Sequence, residues 1–137
     1  MKPSAWAFVL FGALSCTRPA AAPAGERWDA MTKEQRHEHM KADVMPRMTA
    51  AFVAFDPHRY ARLDCATCHG KTGPQRGWAM PNPELLLEPS PWNSAATPHP
   101  ASASSPMERF MAATVVKELS AAVGRPTGCF ACHVPER

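Results

Sequence analysis

No run of basic residues marks this 137-residue chain, in which 15 Lys+Arg stand against 12 Asp+Glu for a formal charge of +3. So weak and scattered a bias leaves no electrostatic footprint for nucleic acid, which is excluded as a partner. Nor is there an apolar run long enough to cross a bilayer: "AWAFVLFGAL" (5–14) has only ten residues. Glycine is sparse and proline abundant, seven against fifteen, which leaves little room for continuous regular structure. The length fits one small domain. Small domains bury a smaller share of their surface, so a chain this rich in proline struggles to close a core with its own side chains. Something else is expected to fill the middle.

The apolar run is about the right length for an export signal, with Lys2 supplying the positive charge before it. "ALSC" (13–16) follows, small residues and then Cys16, and resembles a bacterial lipoprotein signal in which that cysteine carries the lipid. Ala13 departs from the usual leucine. The plain alternative is a cleavable signal cut near "AAAPAG" (20–25). Either way the mature chain leaves the cytoplasm, and the lipoprotein reading puts it on the periplasmic side, anchored to a membrane by the lipid on Cys16. Residues 1–16 are then the signal, 17–28 ("TRPAAAPAGERW") a Pro/Ala tether, and 29–137 the folded domain.

Beyond Cys16 the chain holds four cysteines, in two pairs: "CATCH" (65–69) and "CFACH" (129–133). Both are C-x-x-C-H, the attachment signature of c-type haem. Cys65 and Cys68, and likewise Cys129 and Cys132, would add across the two porphyrin vinyl groups. His69 and His133 would thereby be carried beneath the iron as proximal ligands. A four-cysteine zinc site would need no histidine after each pair. A disulfide framework leaves both histidines unexplained. A thioredoxin-like dithiol needs a βαβ pattern that is absent. On these motif residues the chain resembles the multihaem c-type cytochromes, which implies two covalent haems c.

The chain also repeats itself. "MKADVMPRMTAAF" (40–52) aligns without gaps on "MAATVVKELSAAV" (111–123), and each segment precedes its own C-x-x-C-H. Met40, Val44, Met48, Phe52 and Phe55 recur at helical spacing, as do Met111, Val115, Leu119 and Val123. "TKEQ" (32–35) is a capping box that starts the first helix near Lys33. Ser105 and Pro106 start the last helix, and Gly124 suits its end. Pro46 should kink or break the first helix near residues 42–46. Eight prolines fall in 71–106, which reads as irregular loop; "WAMPNPELLL" (78–87) within it is apolar enough to pack Trp78, Leu85 or Leu87 against haem.

A methionine helix leading into C-x-x-C-H resembles the haem units of photosynthetic reaction-centre cytochrome subunits, most closely in residues 107–134. That resemblance implies Met/His coordination. If both haems share one geometry, the distal ligands are Met40 and Met111, because Met45 faces Val116 and Met48 faces Leu119 in the alignment. Met45 and Met48 are better read as core. Met107 and Met80 are rivals. His37, His39, His58 and His99 read as surface residues, although His39 or His58 would also serve the first haem, at a lower potential.

The expectation is a mainly α, small helical dihaem cytochrome c. Two helix–CxxCH units, 30–70 and 107–137, would be joined by a Pro-rich irregular loop, 71–106. Its function would be electron transfer between redox protein partners. The alternative is a dihaem peroxidase or haem-based gas sensor, which needs one open iron and a polar distal pocket. No distal acid or base residue is evident.

Overall fold

The computed structural model describes residues 28–90, 93, 103 and 105–136. The apolar run, Cys16, the tether up to residue 27 and His99 lie outside the described residues. In chain order the elements are α1 (Lys33–His39), a π-helical turn (Met40–Val44), α2 (Met45–Phe55), α3 (Cys65–His69) and β1 (Asn82–Leu87). Then come α4 (Pro106–Phe110), a second π-helical turn (Met111–Val115), α5 (Val116–Val123), a 3-10 turn (Cys129–Ala131) and β2 (His133–Pro135). The protein is small and mainly α. Among the described residues no helix is long and apolar enough to cross a membrane.

α1, its π turn and α2 form one continuous rod, since the residues at both junctions keep right-handed helical dihedrals. Thr32 and Gln35 cap it reciprocally: the Thr32 N–H donates to Gln35 Oε1 at 2.8 Å and the Gln35 N–H to Thr32 Oγ1 at 3.3 Å. α4, the second π turn and α5 form a second rod in the same way. Ser105 caps it with Glu108, Pro106 opens it, and Gly124 ends it in the left-handed region at φ 71°. Pro46 does not break the first rod. A proline crowds the carbonyl one turn back and offers it no donor, and the backbone widens at that turn instead of parting. Proline is not the whole cause, because the second rod widens at the aligned place with Lys117 where the first has Pro46.

The rods lie antiparallel. His39, near the start of the first, meets the Ala122 carbonyl near the end of the second at 2.9 Å. Phe52 and Phe55, at the far end of the first, meet Phe110 at ring separations of 5.0 and 4.2 Å. Val44, Met48, Phe52 and Ala122 are buried along the seam, with Met40, Met111, Val115 and Leu119 packed against them. This is the apolar face that the spacing predicts. Burying a Val, Met or Phe side chain is worth about 1.5–3 kcal/mol, and an aromatic pair about 0.5–1.5 kcal/mol more. Exposed ion pairs such as Arg47–Glu118 (3.9 Å) and Arg125–Asp29 (3.2 Å) contribute little beside that.

The segment between the units is not wholly irregular. Asn82–Leu87 forms a strand parallel to His133–Pro135, in the register Asn82↔His133, Leu86↔Val134 and Leu87↔Pro135. The pairing is irregular between Asn82 and Leu86, where Pro83 has no N–H to give. Parallel strands need a long crossover, and here the second rod supplies it. Two strands alone are marginal, so this pair depends on what anchors its ends.

Candidate cofactor-attachment site

The first motif is a single helical turn, α3, capped by the residue before it. Asp64 Oδ1 accepts from the Thr67 N–H at 3.0 Å and from the Thr67 hydroxyl at 3.1 Å. Gly70 then turns the chain at φ 79°, and a Cβ there would lie 2.5 Å from Asn82 Oδ1. The Arg76 guanidinium reaches back across this turn, donating to the His69 carbonyl at 2.7 Å and to the Ala79 carbonyl at 2.8 Å. Trp78 stands edge-on to the His69 ring at 5.7 Å, with His37 of α1 at 6.3 Å.

The second motif is built differently. The Thr127 N–H donates to Ser120 Oγ at 3.0 Å, which ties the approach segment to α5. Cys129 is buried in the 3-10 turn, and His133 opens β2. No side chain caps this turn.

These two motifs, some sixty residues apart in the chain, meet at Asn82, which is 1% exposed. Its backbone N–H donates to the Cys132 carbonyl at 2.9 Å, and its side-chain Nδ2 to the Cys68 carbonyl at 3.1 Å. All four cysteines are free thiols. Burial pushes Cys68 up to about 11, helped by Cys65 and Asp64. Burial also pushes Cys132 up to about 11, helped by Cys68 and then Cys129. Among the described residues no three Cys, His, Asp or Glu side chains are grouped to hold a bare metal ion.

The two histidines share a defect. Nδ1 of His69 and Nδ1 of His133 are buried with no hydrogen-bond partner. A buried polar atom left unpaired costs about 1–3 kcal/mol, and the Trp78 and Leu85 backbones are the groups near enough to His69 and His133 to relieve it. Burial also holds both rings below the ordinary imidazole range, with Arg76 adding to the effect at His69. A neutral imidazole is the form that binds a metal.

No family model matches the chain, and no curated protein or solved structure matches it significantly.

Met40 and Met111 pack against the same seam as Met48. Met48 is 4% exposed in the seam, a core residue as the alignment implies. Met40 and Met111 are half-buried, and each begins a π-helical turn. Met45, Met80 and Met107 are half-buried elsewhere. His58 is exposed, as is His37 despite Trp78. His39 is not a surface residue: it is half-buried, bonded to Ala122, with Asp43 at 3.6 Å. Its charged sequence neighbours hide a partner that only the second rod provides.

Two shallow apolar grooves lie on the rods. One, of about 660 Å³, is lined by Lys41, Met45, Pro46, Thr49, Ala50, Val53 and Ala54. The other, of about 570 Å³, includes Ala112, Val116, Lys117, Ser120, Ala121, Gly124 and Arg125. The internal alignment, extended by two residues, pairs the first set with seven of the nine residues that line the second, Pro126 and Thr127 being the other two. Neither groove is lined by a residue of the C-x-x-C-H motifs.

Sequence reasoning missed Asn82 and Arg76. Flanked by prolines, Asn82 reads as a turn residue, and Arg76 as one solvated charge among many.

Proposed function

We propose that this chain is an exported c-type cytochrome that carries two covalent haems and passes electrons between redox proteins. Each haem would be tethered by one cysteine pair, Cys65/Cys68 or Cys129/Cys132. The observation that carries the reading is the doubled C-x-x-C-H, with the half-buried histidine ring of each copy held toward its neutral form by burial. Haem supplies a one-electron iron couple whose potential follows its axial ligands, burial and nearby charge. The chain's part is to hold and tune it. The thiols fix the macrocycle, His69 and His133 offer neutral proximal nitrogens, and Met40 and Met111 are the distal thioethers. The in-register π turns support that choice, since π turns gather at functional positions. The porphyrins would also supply the apolar bulk that so proline-rich a chain lacks.

Optical and EPR spectra of protein matured with a haem-attachment system test this. Two covalent haems, both low-spin when ferric, are expected. One five-coordinate iron would favour a peroxidase or gas sensor, and release of all haem on acid extraction of the denatured chain would overturn the covalent assignment. Membrane attachment is tested by Cys16→Ala, which should release the protein into the soluble periplasm.

A further inference from the structure

The geometry points to Asn82 as the positioning residue that sets the two haems in electronic contact. This inference rests on the two-haem reading and adds to it how the haems are held together.

Asn82 spends its donors on the same atom of each motif, the carbonyl of the second cysteine. The backbone N–H takes Cys132 at 2.9 Å, and Nδ2 takes Cys68 at 3.1 Å. The amide orientation is fixed by a third bond: Oδ1 accepts from the Glu84 N–H at 3.0 Å, so Nδ2 must face Cys68. At 1% exposure the residue has no water to substitute for any of these partners. Strand pairing sets Asn82 opposite His133, and Gly70, next to His69, packs against Asn82 Oδ1 with no room for a Cβ. The histidine turn of one unit and the histidine strand of the other thus close on a single residue, the first through its side chain and the second through its backbone.

A haem held by thioethers moves with the cysteines that carry it. Holding Cys68 and Cys132 by their own carbonyls would therefore limit how far the two tethered macrocycles could move apart. Exchange between two haems so tethered would move one electron from a ferrous to a ferric iron, with no proton and no co-reactant. Its rate falls steeply with edge separation, so the clasp governs it.

Asn82→Asp tests this. The variant keeps the backbone bond to Cys132 and the side-chain shape, but sets an oxygen against the Cys68 carbonyl. The mass of the denatured protein first gives the haem count; zero covalent haem overturns the two-haem reading itself. With two haems attached and unchanged optical ligand bands, Asn82→Asp should lose the dipolar broadening between the two ferric EPR signals. It should also lose the redox interaction by which one haem's state shifts the other's potential. Wild-type coupling in a variant with two haems overturns the role of Asn82 and leaves the haems in place. If the variant does not mature, wild-type protein is compared with the single-haem form Cys65→Ala/Cys68→Ala. Identical ferric line shapes in the two would overturn the contact; broadening present only with both haems supports it.

Discussion

Met40 and Met111 make the same hydrogen bonds in two different rods. The N–H of each donates to the carbonyls three and four residues back. The carbonyl of each accepts from the N–H five residues on, Met45 and Val116 respectively. This shared backbone pattern is independent of the side-chain alignment that pairs the two residues, and it gives the pairing physical content.

Replacing Met111 with Leu should leave both haems attached and the rod intact. It should also remove the ferric charge-transfer band of one haem near the red edge of the spectrum and lower its potential, because a thioether favours ferrous iron. Met40→Leu should do the same to the other haem. Met48→Leu, a volume-conserving change in the seam, should cost less than about 1.5 kcal/mol and leave both bands. Loss of the band in Met48→Leu with retention in Met40→Leu would put the alignment out of register.

His39 is held in the seam by the Ala122 carbonyl. His39→Phe should lower stability by about 1 kcal/mol, the worth of the Ala122 bond, with the optical spectrum of the haem protein unchanged. A spectral shift, read by absorption alongside chemical denaturation, would make His39 the first haem's distal ligand.

Arg76 places a fixed positive charge on the His69 carbonyl, and no described basic residue is bonded to the second motif in this way. Positive charge disfavours ferric iron. Arg76→Gln should therefore lower the potential of the first haem and leave the second where it was, as read by titration of the two single-haem forms. The lost charged bonds should cost about 1.5–3 kcal/mol.

The chain lacking haem should be acid-sensitive. Burial lowers the imidazole pKa of both His69 and His133 from the usual 6.5. As pH falls, the unfolded chain binds protons first, so the folded chain loses stability from about 6.5 downward until the lowered values are passed. Thermal melts across this range should decline toward acid, and replacing both histidines by Phe should flatten the profile. A flat profile in the parent chain would mean that the rings are solvated.

Local signals made the helix ends readable. Thr32 with Gln35, Ser105 with Pro106, and Gly124 act on atoms within a few residues, and each cap stands where the sequence implies. The seam was readable for the same reason, since Val44, Met48 and Phe52 recur at the helical period. What escaped depends on distant partners. "PNPELLL" looks like loop until Val134 and Pro135 pair with it, and nothing near His39 announces Ala122. Asn82 is the extreme case, with both C-x-x-C-H motifs as its partners. The π turns carry no sequence mark beyond Pro46, and that mark is missing from the second rod.

An α-helix advances about 100° per residue. A turn that takes in one residue more than its share therefore slips the phase of everything before it by about that angle. Each rod is two helical segments on one axis with their stripes offset, and the seam face of α2 or α5 does not continue straight into α1 or α4. The methionines stand at the slip. Where they aim is consequently a matter of chain length as much as residue identity. Deleting Ala42 or Ala113 alone would keep both methionines and the seam residues after them while turning the upstream segment, capping box and all, to a different bearing.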